Sequence, residues 1–203
     1  MNNPNQFWDN RYAETAYAYG TQPNVYFRQQ LDTLIQPGRL LLLAEGEGRN
    51  AVYAAQQGWQ VTAVDFSPNG REKALALARE HGVTFEYIVQ DIAEFDFSAP
   101  GTWDAIGLIY AHFPPALRTA VHQKCAEALA PGGKIIIEAF HERQLGNTSG
   151  GPQTVELLFS KALLEREFAG LEALEITEQS VVLEEGQFHA GPAEVVRAFF
   201  EKT

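Results

Sequence analysis

The chain has 203 residues, of which 45% are hydrophobic and 20% charged, a balance typical of one globular α/β domain. Its formal net charge of −11 argues against a nucleic-acid partner, because a negative surface repels phosphate backbones. Cys125 is the one cysteine, the N-terminal residues lack a signal-peptide pattern, and the longest apolar run, 40–44, is too short to span a bilayer, so we expect a cytoplasmic protein without membrane association.

The first 36 residues are rich in aromatic side chains and have no obvious place in a sheet. Apolar residues at helical spacing predict a helix over 24–35, which Pro37 and Gly38 then end. We expect this N-terminal segment, 1–36, to form a lid.

A regular alternation of strands and helices begins at residue 39. The continuous apolar run 39–44 is typical of a strand buried on both faces. The other predicted strands are 60–65, 84–90, 103–110 and 134–140, and the predicted helices are 50–57, 68–81 and 114–129. Because this alternation forms right-handed βαβ units, it predicts a doubly wound, mostly parallel α/β sheet.

The pattern changes after residue 140. A glycine-rich loop at 144–153 and a short helix at 160–168 precede two final strands, at 174–183 and 194–200, which we expect to pair antiparallel. The last segment, VVRAFF, is also compatible with a helix. No linker interrupts the chain, so the prediction is a single domain over 1–203, with a cofactor-binding core at 37–140 and a substrate loop and final strands at 141–203.

Candidate ligand-binding residues follow three successive strands. Gly46 and Gly48 let the backbone turn sharply after the first strand and come close to a ligand, beside free helix N–H groups. Asp65 ends the second strand, where a carboxylate can accept both hydroxyls of a ribose. Asp91 and Ile92 follow the third strand and could hold an adenine. Each is also compatible with an ordinary turn or cap, but three at successive strand ends predict a nucleoside site.

The segments AEGEGRN, VTAVDFS, VQDIAEF, WDAIGLIYAHF and LAPGGKIIIE follow one another in an order that resembles class I S-adenosylmethionine methyltransferases. FWDNRY, GRN, PGG and EEGQFH resemble the small bacterial group around the tellurite-resistance methyltransferase, which is also similar to thiopurine methyltransferases. The likeness covers nearly the whole chain. It implies a Rossmann-like, seven-stranded, mostly parallel sheet with an antiparallel C-terminal pair, and S-adenosylmethionine as the cofactor.

The resemblance also implies a cofactor-binding set. Its members are Ala44, Glu45, Gly46 and Gly48 at the methionine moiety, Asp65 and Phe66 at the ribose, Asp91 and Ile92 at the adenine, and Ile109 and Tyr110 near the sulfonium. The chain departs from the family at Leu42, where an acid is usual, and at Ala44, where the first glycine is usual. Either Glu45 or Glu47 is therefore expected to contact the amino group of the cofactor.

Several further side chains are candidates for the transfer step. Aromatic rings of the lid suit a cationic sulfonium, although they also suit simple packing on the core; they are Phe7, Trp8, Tyr12 and Tyr19. Arg11 and Arg143 could attract an anionic acceptor or be ordinary surface charges.

His189 is the first candidate for a general base, because the resembling family has a histidine in that motif. The alternative is that His189 is a solvated loop residue. His112, after the fourth strand, is the second candidate, and the alternative for it is a surface residue before a helix. No spacing of histidines or cysteines indicates a metal site.

The function that these residues predict is methyl transfer to a small-molecule acceptor, such as a thiol, a chalcogen oxyanion or a small metabolite, by a monomer or weak homodimer. A nicotinamide-dependent oxidoreductase is one alternative, because Gly46-x-Gly48-x-x-Ala51 with Asp65 matches a dinucleotide fingerprint, although the chain has no Tyr-x-x-x-Lys pair. A non-catalytic S-adenosylmethionine-binding protein is the other.

Overall fold

The computed structural model describes residues 4–97 and 102–203. The helices in this part of the chain are α1 (Pro4–Tyr12), α2 (Val25–Leu31), α3 (Arg49–Gln56), α4 (Pro68–Glu80), α5 (Pro115–Ala128) and α6 (Lys161–Glu167). The strands are β1 (Arg39–Leu43), β2 (Gln60–Asp65), β3 (Glu86–Val89), β4 (Trp103–Ile109), β5 (Leu129–Phe140), β6 (Glu172–Glu184) and β7 (Ala190–Glu201). Short 3-10 helices lie at Glu142–Gln144 and Val155–Leu157.

All seven of these strands form one sheet in the order β3-β2-β1-β4-β5-β7-β6. β1 to β5 are parallel to one another, whereas β7 runs antiparallel to both β5 and β6. The predicted fold class, including the antiparallel C-terminal pair, is therefore confirmed. The strand order reverses between β1 and β4, and such a switch point opens a crevice at the carboxyl ends of the strands.

The core lies on both faces of the sheet, which explains the continuous apolar run of β1. Leu41 and Leu43 pack on one face with residues of α5 and α6, and Leu40 and Leu42 pack on the other with residues of α2 and α3. Successive side chains of a strand point to opposite faces, so a strand that is covered twice needs apolar residues at every position.

Some element boundaries differ from the sequence prediction. The helix predicted over 24–35 ends earlier, at Leu31. Its start is as predicted, because Asn24 caps it by accepting a hydrogen bond from Phe27 N at 2.9 Å. β5 begins at Leu129 rather than at 134, because Leu129 pairs with Trp103 of β4 ahead of an irregularity in the register. The ambiguous final segment is strand β7, which hydrogen bonds to neighbours on both sides.

The N-terminal segment lies over the carboxyl edge of the sheet and contacts α4. Asp9 of α1 accepts hydrogen bonds from Ser67 Oγ at 2.5 Å and from Asn69 N at 3.1 Å, at the first turn of α4. A carboxylate is stabilised there by the free N–H groups and by the helix dipole. None of the helices in the described residues is long and apolar enough to cross a membrane.

Candidate active site

The loop after β1 runs through three residues with left-handed backbone conformation. Ala44, Gly46 and Gly48 have φ values of 53°, 62° and 83°. A Cβ atom on Gly48 would lie 2.5 Å from the Cβ of Ala74, and one on Gly46 would lie 2.6 Å from the hydroxyl of Tyr12. At Gly48 both φ and the close approach of α4 require glycine, whereas at Gly46 φ favours glycine and the contact is with the end of the Tyr12 side chain.

Glu45 is buried within this loop, at the start of α3. Its Oε1 atom accepts hydrogen bonds from Asn50 N at 2.9 Å and from Ala51 N at 2.8 Å, and its Oε2 atom lies 3.4 Å from Asn50 Nδ2. Burial raises the pKa of Glu45 to about 7, against the effect of these hydrogen bonds. The carboxylate therefore has free acceptor capacity on one oxygen in a desolvated place.

Glu47, two residues later, has both oxygens engaged. Lys73 Nζ of α4 lies 2.5 Å from Oε1, and Ala18 N of the lid segment donates to Oε2 at 2.8 Å. The side chain is 3% exposed. Glu47 therefore holds the lid segment to α4.

Asp65 ends β2 beneath the lid. Its Oδ2 atom accepts a hydrogen bond from Gly46 N at 3.0 Å, and its Oδ1 atom accepts one from Ser67 N at 2.9 Å. Burial raises the pKa of Asp65 to about 6 despite these bonds. Burial, and next the charge of Asp65, raise the pKa of Tyr12 well above its ordinary value. Phe66, half-buried, follows Asp65 in the chain.

The third strand ends at the same edge of the sheet. Gln90 N donates to Asp65 O at 3.0 Å, so Asp91 lies only one residue beyond this contact. Asp91 is exposed, and its Oδ1 accepts from Ala93 N at 2.9 Å. Ile92 is buried in the core beneath the edge. The structure thus brings the ends of β1, β2 and β3 together, as the sequence predicts.

At the other side of the switch point, β4 ends with the buried Ile109 and then Tyr110. Tyr110 has φ +54°, a conformation that is uncommon and strained for a residue with a side chain. Its hydroxyl donates to Glu138 Oε1 of β5 at 2.7 Å. Its ring centroid lies 4.6 Å from that of Phe140 and 4.5 Å from that of His189.

His189, from the loop between β6 and β7, lies among aromatic rings rather than in solvent. Its ring centroid is 4.4 Å from that of Tyr19, and its Nδ1 atom is 3.5 Å from Glu185 Oε2. That carboxylate also accepts from Arg49 Nη2 at 2.9 Å. Burial lowers the pKa of His189. Although burial opposes it, the hydrogen bond to His189 and the charge of Arg49 lower the pKa of Glu185 to about 2.

A comparison with known protein families shows which proteins this arrangement of residues resembles. Residues 40–133, from β1 to the turn within β5, match the model of a family described as a methyltransferase domain. Over residues 40–133 the chain is therefore similar to methyltransferase domains, and a structural neighbour with bound SAH indicates S-adenosylmethionine as the cofactor. S-adenosylmethionine is the cofactor of such domains.

Curated relatives and solved structures agree with this assignment. The chain is 31% identical over 105 residues to a ubiquinone biosynthesis O-methyltransferase of Xanthomonas euvesicatoria, a match that covers 51% of this chain and 43% of that protein. The chain thus spans less than half the length of this relative. TehB from Haemophilus influenzae has a similar fold, with a TM-score of 0.73 and 18% identity over 98% of this chain and 67% of that one. Magnesium protoporphyrin IX methyltransferase from Synechocystis, solved with bound SAH, has a TM-score of 0.68 and 17% identity over 99% and 95%.

The structure also contains a buried polar network that the sequence did not reveal. Asn24 Nδ2 lies 2.7 Å from Glu138 Oε1 and 2.9 Å from Glu185 Oε1, and Arg197 of β7 donates to Glu138 Oε2. This network connects the lid, β5, the β6–β7 loop and β7. Charged residues inside the otherwise apolar runs KIIIEAF and VVRAFF are the sequence signal that could have found it.

His112, the second candidate for a general base, contacts the backbone through both of its ring nitrogens. Its Nδ1 atom lies 2.6 Å from Leu157 O, and its Nε2 atom accepts from Phe140 N at 3.4 Å. Burial lowers its pKa to about 4. Both ring nitrogens of the half-buried His112 thus contact the backbone and connect the 3-10 helix Val155–Leu157 to β5, and its role as a base stays a prediction.

The two candidate arginines separate in the structure. Arg143 forms ion pairs with Glu178 and Glu194 on the outer side of the β6–β7 pair. Arg11 lies in the lid, where its Nη1 donates to Tyr19 Oη at 2.8 Å. Among the residues described, no group of three or more histidine, cysteine or acidic side chains is arranged to hold a metal ion.

Proposed function

We propose that this chain transfers a methyl group from S-adenosylmethionine to a small-molecule acceptor, a thiol, a chalcogen oxyanion or a small metabolite. The observation that carries the proposal is the buried carboxylate of Asp65 hydrogen-bonded to Gly46 N of the left-handed loop at the switch point. This arrangement combines a close backbone approach with an acceptor for ribose hydroxyls. Asp91 and Ile92 at the next strand end are proposed for the adenine.

The donors and acceptors at this edge fit the cofactor. Among the two acids of the first turn, we assign the amino group of the methionine moiety to Glu45. Glu47 is committed to Lys73 and Ala18, whereas the Oε2 atom of Glu45 has one long hydrogen bond of 3.4 Å. A cationic amino group would also favour the ionised form of a carboxylate whose pKa burial has raised to about 7.

The lid supplies an aromatic cover for this edge. The rings of Trp8 and Tyr12 stack at a centroid distance of 6.0 Å, and Trp8 lies 6.3 Å from Tyr19. Ring faces attract a cationic sulfonium, and their bulk excludes water. The bound cofactor supplies an activated methyl group on sulfur.

The chain itself then has to hold the acceptor in line with that methyl group. Positioning of this kind lowers a barrier by about 7–11 kcal/mol. Where the acceptor must lose a proton, His189 is the proposed base: burial keeps it neutral at pH 7, and Glu185 orients the ring from the Nδ1 side, which leaves Nε2 for the acceptor. Tyr110 and Ile109 are proposed to line the place where the methyl group moves.

Cofactor binding is tested by calorimetry with S-adenosylmethionine, S-adenosylhomocysteine and NAD. We expect the first two to bind and NAD not to bind. Asp65→Asn should weaken S-adenosylmethionine at least tenfold, since charge-assisted hydrogen bonds contribute about 1.5–3 kcal/mol. Asp104→Asn is the matched control, because Asp104 is an acid that accepts a backbone hydrogen bond, from Arg39 N, at the opposite edge of the sheet. Binding of NAD alone would favour the oxidoreductase alternative.

Glu45→Gln and Glu47→Gln test the assignment of the amino group. Glu45→Gln should weaken S-adenosylmethionine but should leave the affinity for adenosine, which lacks the amino acid, unchanged. Glu47→Gln should not discriminate between these two ligands. The reverse pattern would assign the role to Glu47.

Turnover is tested with a small thiol, tellurite and a phenol as acceptors, the last because the curated relative is an O-methyltransferase. Glu185→Gln should lower kcat about tenfold or more and move the acidic limb of the pH profile, while cofactor affinity stays the same. Cofactor binding without methyl transfer to any of these acceptors, by the unaltered chain and by His189→Asn alike, would support the non-catalytic alternative.

A further inference from the structure

A surface pocket of about 420 Å³ lies between the N-terminal segment and the β6–β7 loop. Its walls come from α1, the residues just after it, and the β6–β7 loop: Gln6, Phe7, Asn10, Arg11, Glu14 and Phe188. A volume of this size is sufficient for a small molecule. None of these residues belongs to the proposed cofactor set.

The guanidinium of Arg11 is held in this pocket by aromatic rings. Its central carbon lies 4.6 Å from the ring centroid of Phe7, 5.1 Å from that of Trp8 and 4.1 Å from that of Phe188. Cation–π contacts use the faces of a guanidinium, whereas its hydrogen-bond donors point outward in its plane. The rings therefore surround the guanidinium carbon without accepting hydrogen bonds from its donors.

The charge of Arg11 has no carboxylate partner among the described residues. One of its five donors is used, by the hydrogen bond from Nη1 to Tyr19 Oη at 2.8 Å. Although the chain has 26 acidic and 15 basic residues, this cation keeps free donors in a pocket. Glu14 lines the same pocket but forms no ion pair with Arg11, so the pocket offers a planar donor set to an incoming anion.

The pocket is connected to the proposed transfer site through one side chain. Tyr19 accepts from Arg11 at its hydroxyl, and its ring centroid lies 4.4 Å from that of His189. Phe188 of the pocket wall is the residue before His189. A molecule whose anionic end binds Arg11 therefore lies about one tyrosine side chain away from the proposed base.

We propose that this pocket binds the methyl acceptor, and that Arg11 selects acceptors in which a flat ring bears a carboxylate. The fork of a guanidinium matches the two oxygens of a carboxylate, and Phe7, 47% exposed, leaves apolar surface for a ring. The assignment of the bound molecule as the acceptor rests on the proposed function, whereas the recognition of the anion by Arg11 does not.

The experiment compares benzoate with benzamide, its neutral counterpart of the same shape, by ligand-observed NMR titration of the full chain. Benzoate should bind at least fivefold more tightly than benzamide. Arg11→Gln should remove this preference. Arg79→Gln, which removes the same charge from the exposed last turn of α4, should keep it.

Glu14→Gln is a variant that should bind benzoate more tightly, a gain that a folding defect would not produce. Removing this acid from the pocket should strengthen benzoate binding about twofold to fivefold and leave benzamide binding unchanged, the size expected for an exposed charge. Equal binding of benzoate and benzamide to the unaltered chain, or a preference that survives Arg11→Gln, would overturn the proposal.

Calorimetry with S-adenosylmethionine on the same preparations separates the two proposals. If all variants bind S-adenosylmethionine normally but the preference for benzoate is absent, the proposal on the anion pocket is refuted and the proposed function is not. If S-adenosylmethionine does not bind but the preference follows Arg11, the pocket stands and the proposed transferase activity fails.

Discussion

The substitution Gly48→Ala tests how the loop after β1 is held against α4. A Cβ atom there would lie 2.5 Å from Ala74 Cβ and 2.9 Å from Ala74 Cα, whereas carbon atoms in contact are normally about 3.5–4.0 Å apart. The methyl group of Ala74 has no rotamer to change, so α3 and α4 would have to separate.

The expected cost has two parts. The φ of +83° at Gly48 costs a residue with a side chain roughly 1–2 kcal/mol, and overpacking of a tight contact costs roughly 1–3 kcal/mol more. Gly48→Ala should therefore lower the free energy of unfolding by about 2–5 kcal/mol. Gly82→Ala is the matched control, because Gly82 has φ +67° and no atom within 4 Å of a new Cβ, so it should cost only the first part.

Equilibrium unfolding in urea measures both variants, with the slope checked for two-state behaviour. The double variant Gly48→Ala with Ala74→Gly should recover part of the steric cost, as a coupling of about 1–2 kcal/mol in a double-mutant cycle, because the Cα of residue 74 still lies 2.9 Å from the new Cβ. If Gly48→Ala costs no more than Gly82→Ala, or if Ala74→Gly recovers nothing, then α4 does not press on the loop and the reasoning is refuted.

Other predictions concern buried ionisable groups. Burial raises the pKa of Glu45 from its ordinary 4.5 to about 7, so this carboxyl group destabilises the folded chain increasingly as the pH rises through that interval. The stability advantage of Glu45→Gln over the unaltered chain should therefore grow by about 2–3 kcal/mol from pH 5 to pH 8. The same difference in urea unfolding free energy between the two chains at both pH values would contradict this. Lys73→Met leaves the carboxylate of Glu47 buried without its cation and should cost about 2–4 kcal/mol, whereas adding Glu47→Gln should restore most of it in the same assay. Burial raises the pKa of the Cys125 thiol, so a thiol reagent should modify it only in denaturant, and rapid labelling of the native chain would be the opposite result.

Much of the fold follows from local features of the sequence. β2 has the predicted bounds, Gln60–Asp65, and β1 is the apolar run that a strand buried on both faces requires. Ser67 and Pro68 give the start of α4, since a capping hydroxyl and a proline at the first turn act within four residues. Gly48 and Asp65 could be chosen as site residues for the same reason, because glycine turns and strand ends leave their signals at fixed short spacings.

The tertiary structure alone decided which of these groups meet. The choice between Glu45 and Glu47 depends on Lys73 and Ala18, which are 26 and 29 residues away from Glu47. The link between Asn24 and Glu138 joins atoms 114 residues apart. Hydrophobic period and turn residues determine the elements, but contacts between distant polar groups depend on strand order and on the docking of the lid. For this reason the sequence by itself determined the sheet and the strand ends that meet at its carboxyl edge, whereas only the folded chain decided that His112 is held by backbone groups and that His189 lies among aromatic rings beside Glu185.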